Sequence, residues 1–169
     1  MVVLREKDLP TTDLLQMARA LRRITREHEA MLSISSRLDI ALACEADGVH
    51  LGGDAPVIED VRTHAGGLQV GVSLHAGDVP PAGASYAFLS PVFATASKPG
   101  AAPVGLSRLA RFCADHPTLP VYALGGIGAG QVRACRMAGA FGIAVRGGVL
   151  AAADVAVAAR TMYAALVDS

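Results

Sequence analysis

Short apolar runs rich in Val, Ala, Leu and Gly alternate with amphipathic helical stretches along the chain, and this rhythm constrains its fold more than any other feature. Residues 2–4 read as a strand. Residues 12–28 read as a helix carrying Leu14, Leu15, Met17, Ala18, Leu21 and Ile24 on one stripe, with Thr11 or Thr12 as its cap. Further strands fall at 31–34, 48–51, 68–73, 86–89, 119–124 and 141–145. Helices lie between them: one through Leu38, Ile40, Ala41 and Leu42, then 56–64, 105–115, 130–138 and 152–167. Between His75 and Ser85, however, Gly77, Pro80, Pro81 and Gly83 shorten the helix that the rhythm requires. Strands joined in this way form a parallel sheet with right-handed crossovers. Periodicity does not choose between an open doubly wound sheet and a closed eight-stranded barrel. With no repeat, linker or low-complexity segment, one domain over residues 1–169 is expected.

Composition excludes several classes. With 52% apolar and 18% charged residues, the chain is too apolar for disorder, yet no run of about 18 apolar residues occurs to span a bilayer. Fifteen basic residues balance fifteen acidic ones, so neither nucleic acid nor a membrane surface is expected as a partner. The N-terminus lacks the charged–apolar–small pattern of an export signal, and a cytoplasmic location is expected. Cys44, Cys113 and Cys135 have no CxxC spacing and read as reduced packing residues.

In parallel α/β proteins, ligands gather where strands end. The two strand exits nearest the C-terminus are glycine-rich: Gly125-Gly126 and Gly147-Gly148. Such turns let backbone N–H groups close on a phosphate. Gln131 stands where a dinucleotide fingerprint needs its third glycine, so no nucleotide cofactor is implied. Arg5, Lys7 and Lys98 are candidate cations for a phosphate or diphosphate. His75 follows a strand and is a candidate acid/base group, whereas His50 reads as a hydrogen-bonded structural residue. Metal-binding spacings are absent from the strand ends. Asp54 is the one acidic residue near a mouth, which makes it a weak metal candidate.

The segments LREK (residues 4–7), SRLDIALACEADGVHLG (36–52), VGVSLH (70–75), SPVFATASKPG (90–100), PVGL (103–106) and ALGGI (123–127) occur in an order that resembles the thiamine phosphate synthase/TenI family. The resemblance implies a (β/α)8 TIM-type barrel. Met1–Leu4 matches the family's second strand, so the family's first β/α unit has no counterpart here, and either a neighbouring subunit of a homo-oligomer or a rearranged segment is expected to cover the open edge. It further implies that Arg5, Lys7, Ser73 and Lys98 bind diphosphate, and that Thr95, Ser97, Gly125, Gly126, Gly147 and Gly148 surround a phosphorylated thiazole.

Several positions depart from the family. Val3 replaces a Gln, Ser35-Ser36 replaces an Asn-Asp pair, and Ala55 stands at a metal aspartate. Hydroxyls do not substitute for magnesium carboxylates. The resemblance therefore favours the TenI-like branch, a thiazole phosphate tautomerase with His75 as proton carrier and no cofactor. The alternatives are the synthase, which joins hydroxymethylpyrimidine diphosphate to thiazole phosphate with magnesium, and a non-catalytic binder of a phosphorylated ligand.

Overall fold

The computed structural model describes residues 1–53, 55–75 and 77–168. It divides into two compact units, one comprising residues 1–73 and 80–85, the other residues 74–79 and 86 onward.

The first unit is built on parallel strands β1 (Val2–Leu4), β2 (Leu32–Ser35), β3 (Gly48–Leu51) and β4 (Gln69–Leu74), the last leaving the unit after Ser73. Helices α1 (Thr11–Glu27), α2 (Leu38–Ala43) and α3 (Ile58–Ala65) connect them. The register pairs Leu4 with Ile34, Ile34 with Val49 and Val49 with Val70, so the large aliphatic residues share one face of the sheet. Helices α1 and α2 pack on β2 and β3, and their buried Leu14, Ala18, Ile40 and Ala41 complete the core. The opposite face is small and polar: Ser33 pairs with Gly48, and Ser35 with His50.

Helix α1 corrects two expectations. Its N-cap is Pro10, whose carbonyl accepts from the Leu14 N–H at 2.9 Å, and Thr11 and Thr12 lie inside the helix. The buried positions are Leu14, Ala18 and Thr25, while Met17 and Ile24 face outward. The true stripe is narrower than the apolar composition suggests, because only a four-and-seven spacing meets the flat face of a sheet.

Asp47, at the entry to β3, ties the unit together. Its carboxylate accepts from Arg22 Nη1 at 2.7 Å, Arg22 Nη2 at 3.0 Å and the Leu32 N–H at 2.7 Å. Burial opposes ionisation there, but the Leu32 amide and Arg22 outweigh it and hold the carboxyl below its ordinary value. A depressed carboxyl contributes stability above its unfolded-state pKa, and that stability is lost as pH falls through the folded value. Asp47→Asn is expected to lower unfolding stability at pH 7 by about 2 kcal/mol and to flatten the acid limb below about pH 4. Urea titrations at pH 7 and pH 3.5 check this, and an equal loss at both would refute it.

The helix expected after residue 75 is absent rather than shortened: among the described residues, 77–85 form turns and irregular chain. Arg62 of α3 holds residues 83–85 in place. Its Nε donates to the Gly83 carbonyl at 3.0 Å, and its Nη2 donates to the Ser85 hydroxyl at 2.8 Å and to the same carbonyl.

The second unit carries parallel strands β5 (Tyr86–Leu89), β6 (Val121–Leu124) and β7 (Gly142–Ala144), with α4 (Leu106–Asp115), α5 (Ala129–Met137), α6 (Gly147–Leu150) and α7 (Val155–Val167). Phe88 pairs with Tyr122 and Tyr122 with Gly142, so rings collect on one face. Tyr86, Phe88, Tyr122 and Phe141 form a chain with centroids 5.4 to 5.9 Å apart, four of the seven Phe and Tyr residues. Gly142 makes room for them, since a Cβ there would stand 3.1 Å from the Tyr122 ring. Short helix α6, read from the sequence as a turn, begins directly on Gly147. No helix among the described residues is long and apolar enough to cross a membrane.

Candidate active site

In the first unit, His50 and Ser73 lie on the polar face of the sheet, one strand apart, with His50 Nε2 2.9 Å from Ser73 Oγ. His50 is 5% exposed, and burial, reinforced by the nearby Arg5 charge, pushes its pKa down to about 4. It is therefore neutral at physiological pH, a fixed hydrogen-bonding partner for Ser73. Arg5 and Lys7 follow the end of β1 and are solvent-exposed.

The exits of β2 and β3 present Ser35, Ser36, Gly52, Gly53 and Ala55. Ser36 adopts a left-handed conformation (φ 58°), and its hydroxyl is buried without a hydrogen-bond partner. Asp54 lies outside the described residues. Among those described, no three His, Cys, Asp or Glu side chains group as a metal site requires. Neutral hydroxyls and glycines do not fit a magnesium ion, which takes charged carboxylate oxygens.

In the second unit, residues 90–98 fold against the Gly125-Gly126 turn. Val92 N–H donates to the Leu124 carbonyl at 2.8 Å, and Phe93 N–H to the Gly125 carbonyl at 3.0 Å. Gly126 has φ 66°, and a Cβ on it would stand 2.3 Å from the Ala94 carbonyl oxygen. The glycine pair is thus required by close approach of this loop. A Cβ on Gly148 would lie 3.4 Å from the Ile127 carbonyl oxygen, so the start of α6 lies beside the loop that follows Gly125-Gly126. Thr95 Oγ1 accepts from the Ser97 N–H at 3.3 Å, and Ser97 Oγ accepts from Arg146 Nη2 at 3.4 Å. Thr95, Ser97, Gly126, Gly147 and Gly148 therefore border one region. Arg146 joins them, a cation announced in the sequence by its place directly before Gly147.

Lys98 extends from the same loop. Its Nζ is 2.8 Å from His75 Nε2 and donates to the buried Ser90 hydroxyl at 3.3 Å. Asp78 completes the row: its Oδ2 accepts from the His75 backbone N–H at 2.7 Å and lies 3.3 Å from His75 Nδ1. Neither Ser90 nor Asp78 is marked by spacing in the sequence, because the turn and the long lysine side chain that join them to His75 exist only in the folded unit.

Parallel strands joined by helices, with glycines and cations at their exits, define an α/β protein. The comparisons narrow this class. The family model for thiamine monophosphate synthase matches residues 1–149. A putative thiamine-phosphate synthase 2 of Aquifex aeolicus is 41% identical over 85% of this chain and 79% of its own length. A thiamine-phosphate synthase of Methanoculleus marisnigri is 44% identical over 95% of this chain and 79% of its own. A solved thiamine phosphate pyrophosphorylase from Pyrococcus furiosus has a TM-score of 0.87 at 30% identity, covering 98% of this chain and 82% of that one. The chain belongs to the thiamine monophosphate synthase family. These relatives are named for the synthase, so the comparisons back that alternative better than the tautomerase favoured by the sequence.

Proposed function

We propose that this chain is a thiamine-phosphate synthase, a transferase joining hydroxymethylpyrimidine diphosphate to thiazole phosphate. The observation that carries the reading is the Lys98 ammonium 2.8 Å from His75 Nε2. That contact fixes a cation at the exit of β5, as the stabilisation of a departing diphosphate requires.

In the reaction, the lone pair on the thiazole ring nitrogen forms a bond to the pyrimidine methylene carbon. The methylene C–O bond breaks, and its electron pair leaves with the diphosphate. The departing charge must be stabilised, and fixed cations aimed at it are worth several kcal/mol. Lys98 has this role in the second unit. Arg5, Lys7 and Ser73 are the diphosphate residues of the first unit by the family resemblance, with His50 orienting the Ser73 hydroxyl. Thr95, Ser97, Gly125, Gly126, Gly147 and Gly148 hold the thiazole phosphate through hydroxyls and backbone N–H groups. The described residues do not fit magnesium, so no step is assigned to it. The (β/α)8 plan belongs to the same proposal, supported by four parallel strands in the first unit, three in the second, and the likeness to the Pyrococcus furiosus structure.

Proton NMR of the chain mixed with both substrates tests the reading, with coupled product and released pyrophosphate expected. Absence of coupling alongside conversion of thiazole carboxylate phosphate to its aromatic tautomer would restore the tautomerase. Binding without either reaction would leave a non-catalytic phosphate binder.

A further inference from the structure

The tautomer of His75 follows from its neighbours. A lysine ammonium carries three donors and no acceptor, so the Lys98 contact at 2.8 Å requires an unprotonated Nε2. The ring proton then resides on Nδ1, which faces Asp78 Oδ2 at 3.3 Å. Asp78 is itself fixed by a reciprocal turn: its carboxylate accepts from the His75 N–H at 2.7 Å, and its own N–H donates to the His75 carbonyl at 3.2 Å. Beyond His75, Lys98 also reaches the buried Ser90 hydroxyl at 3.3 Å. The row runs from a carboxylate through an imidazole to an ammonium that also donates to a hydroxyl.

We infer that Asp78 is a positioning residue: by holding the His75 proton on Nδ1, it keeps Nε2 as the acceptor that aims Lys98 at the diphosphate of the substrate. The inference rests on the synthase reading for the identity of the anion. The contacts of Asp78 are with His75, so it acts on Lys98 through the imidazole. Without it, the ring proton is free to move to Nε2, where it faces the ammonium donor to donor. Lys98 is then held by Ser90 alone, and an exposed lysine with one anchor samples many rotamers.

The test uses the full chain, with inorganic pyrophosphate as the probe. Nitrogen-15 NMR of the histidine side chains reads the tautomer, and calorimetry reads the affinity. The unaltered chain is expected to show His75 protonated at Nδ1. Asp78→Ala is expected to shift the proton toward Nε2 and to weaken pyrophosphate binding about tenfold. Asp78→Asn keeps an oxygen acceptor in place and should restore both readouts. In a His75→Gln background, Asp78→Ala is expected to cause no further loss, since its effect passes through the ring. An unchanged tautomer in Asp78→Ala, a changed tautomer with unchanged affinity, or additive losses in the double variant would each overturn the inference. If the unaltered chain does not bind pyrophosphate, the synthase reading fails instead, and the tautomer of Asp78→Ala still decides whether the carboxylate sets the ring.

Discussion

Lys98→Ala is expected to slow coupling of pyrimidine diphosphate to thiazole phosphate about a thousandfold, chiefly in kcat. A departing diphosphate concentrates negative charge at the breaking C–O bond, and a cation fixed beforehand stabilises that charge without reorganising. Two contacts fix Lys98, at 2.8 Å to His75 Nε2 and 3.3 Å to Ser90 Oγ. Its side chain is exposed, so the thermal midpoint should stay within about 3 °C of the unaltered chain. Lys98→Arg is not expected to restore the rate, because a planar guanidinium does not place a compact charge on the same two acceptors. Steady-state coupling kinetics with a melting control decide the matter. A loss smaller than about tenfold would remove Lys98 from the reaction.

The second large effect is on stability. Gly126→Ala is expected to destabilise the chain by about 3 kcal/mol or more and to lower its melting temperature by roughly 10 °C. Two penalties combine. At φ 66° a side chain meets its own backbone, and the new Cβ would stand 2.3 Å from the Ala94 carbonyl oxygen and 2.8 Å from Phe93 Cβ. The loop cannot yield easily, because the Val92 and Phe93 N–H groups are bonded to the Leu124 and Gly125 carbonyls. Gly130→Ala is the control: it lies in α5 with nothing within 4 Å of the new Cβ. It should raise stability by roughly 0.5–1 kcal/mol. Calorimetric melting of both variants separates strain at the turn from a general intolerance of alanine. Equal midpoints would show that the loop at residues 92–94 shifts freely.

The sequence by itself determined the parallel α/β class and the seven strands. The two glycine-rich strand exits were equally plain, though the second opens a short helix, because a period of two or of 3.6 and a glycine doublet are local signals. His50 was also legible as structural, since its neighbours Val49 and Leu51 mark a buried strand. Family membership could be read from motifs in order, but the choice of branch could not. Losing Asn-Asp to Ser35-Ser36 argued against the synthase, and only the relatives favoured it.

Tertiary structure alone decided how the long side chains are used. Arg62 replaces a missing helix by holding the Gly83 carbonyl, and Asp47 closes the first unit through Arg22, 25 residues away. Asp78, His75, Lys98 and Ser90 form a row whose members are up to 23 residues apart. Such contacts leave no trace in periodicity, because charged side chains reach across loops whose paths the backbone settles only after the apolar faces have packed. Period and glycine therefore gave the strand exits, and packing chose which polar groups meet there.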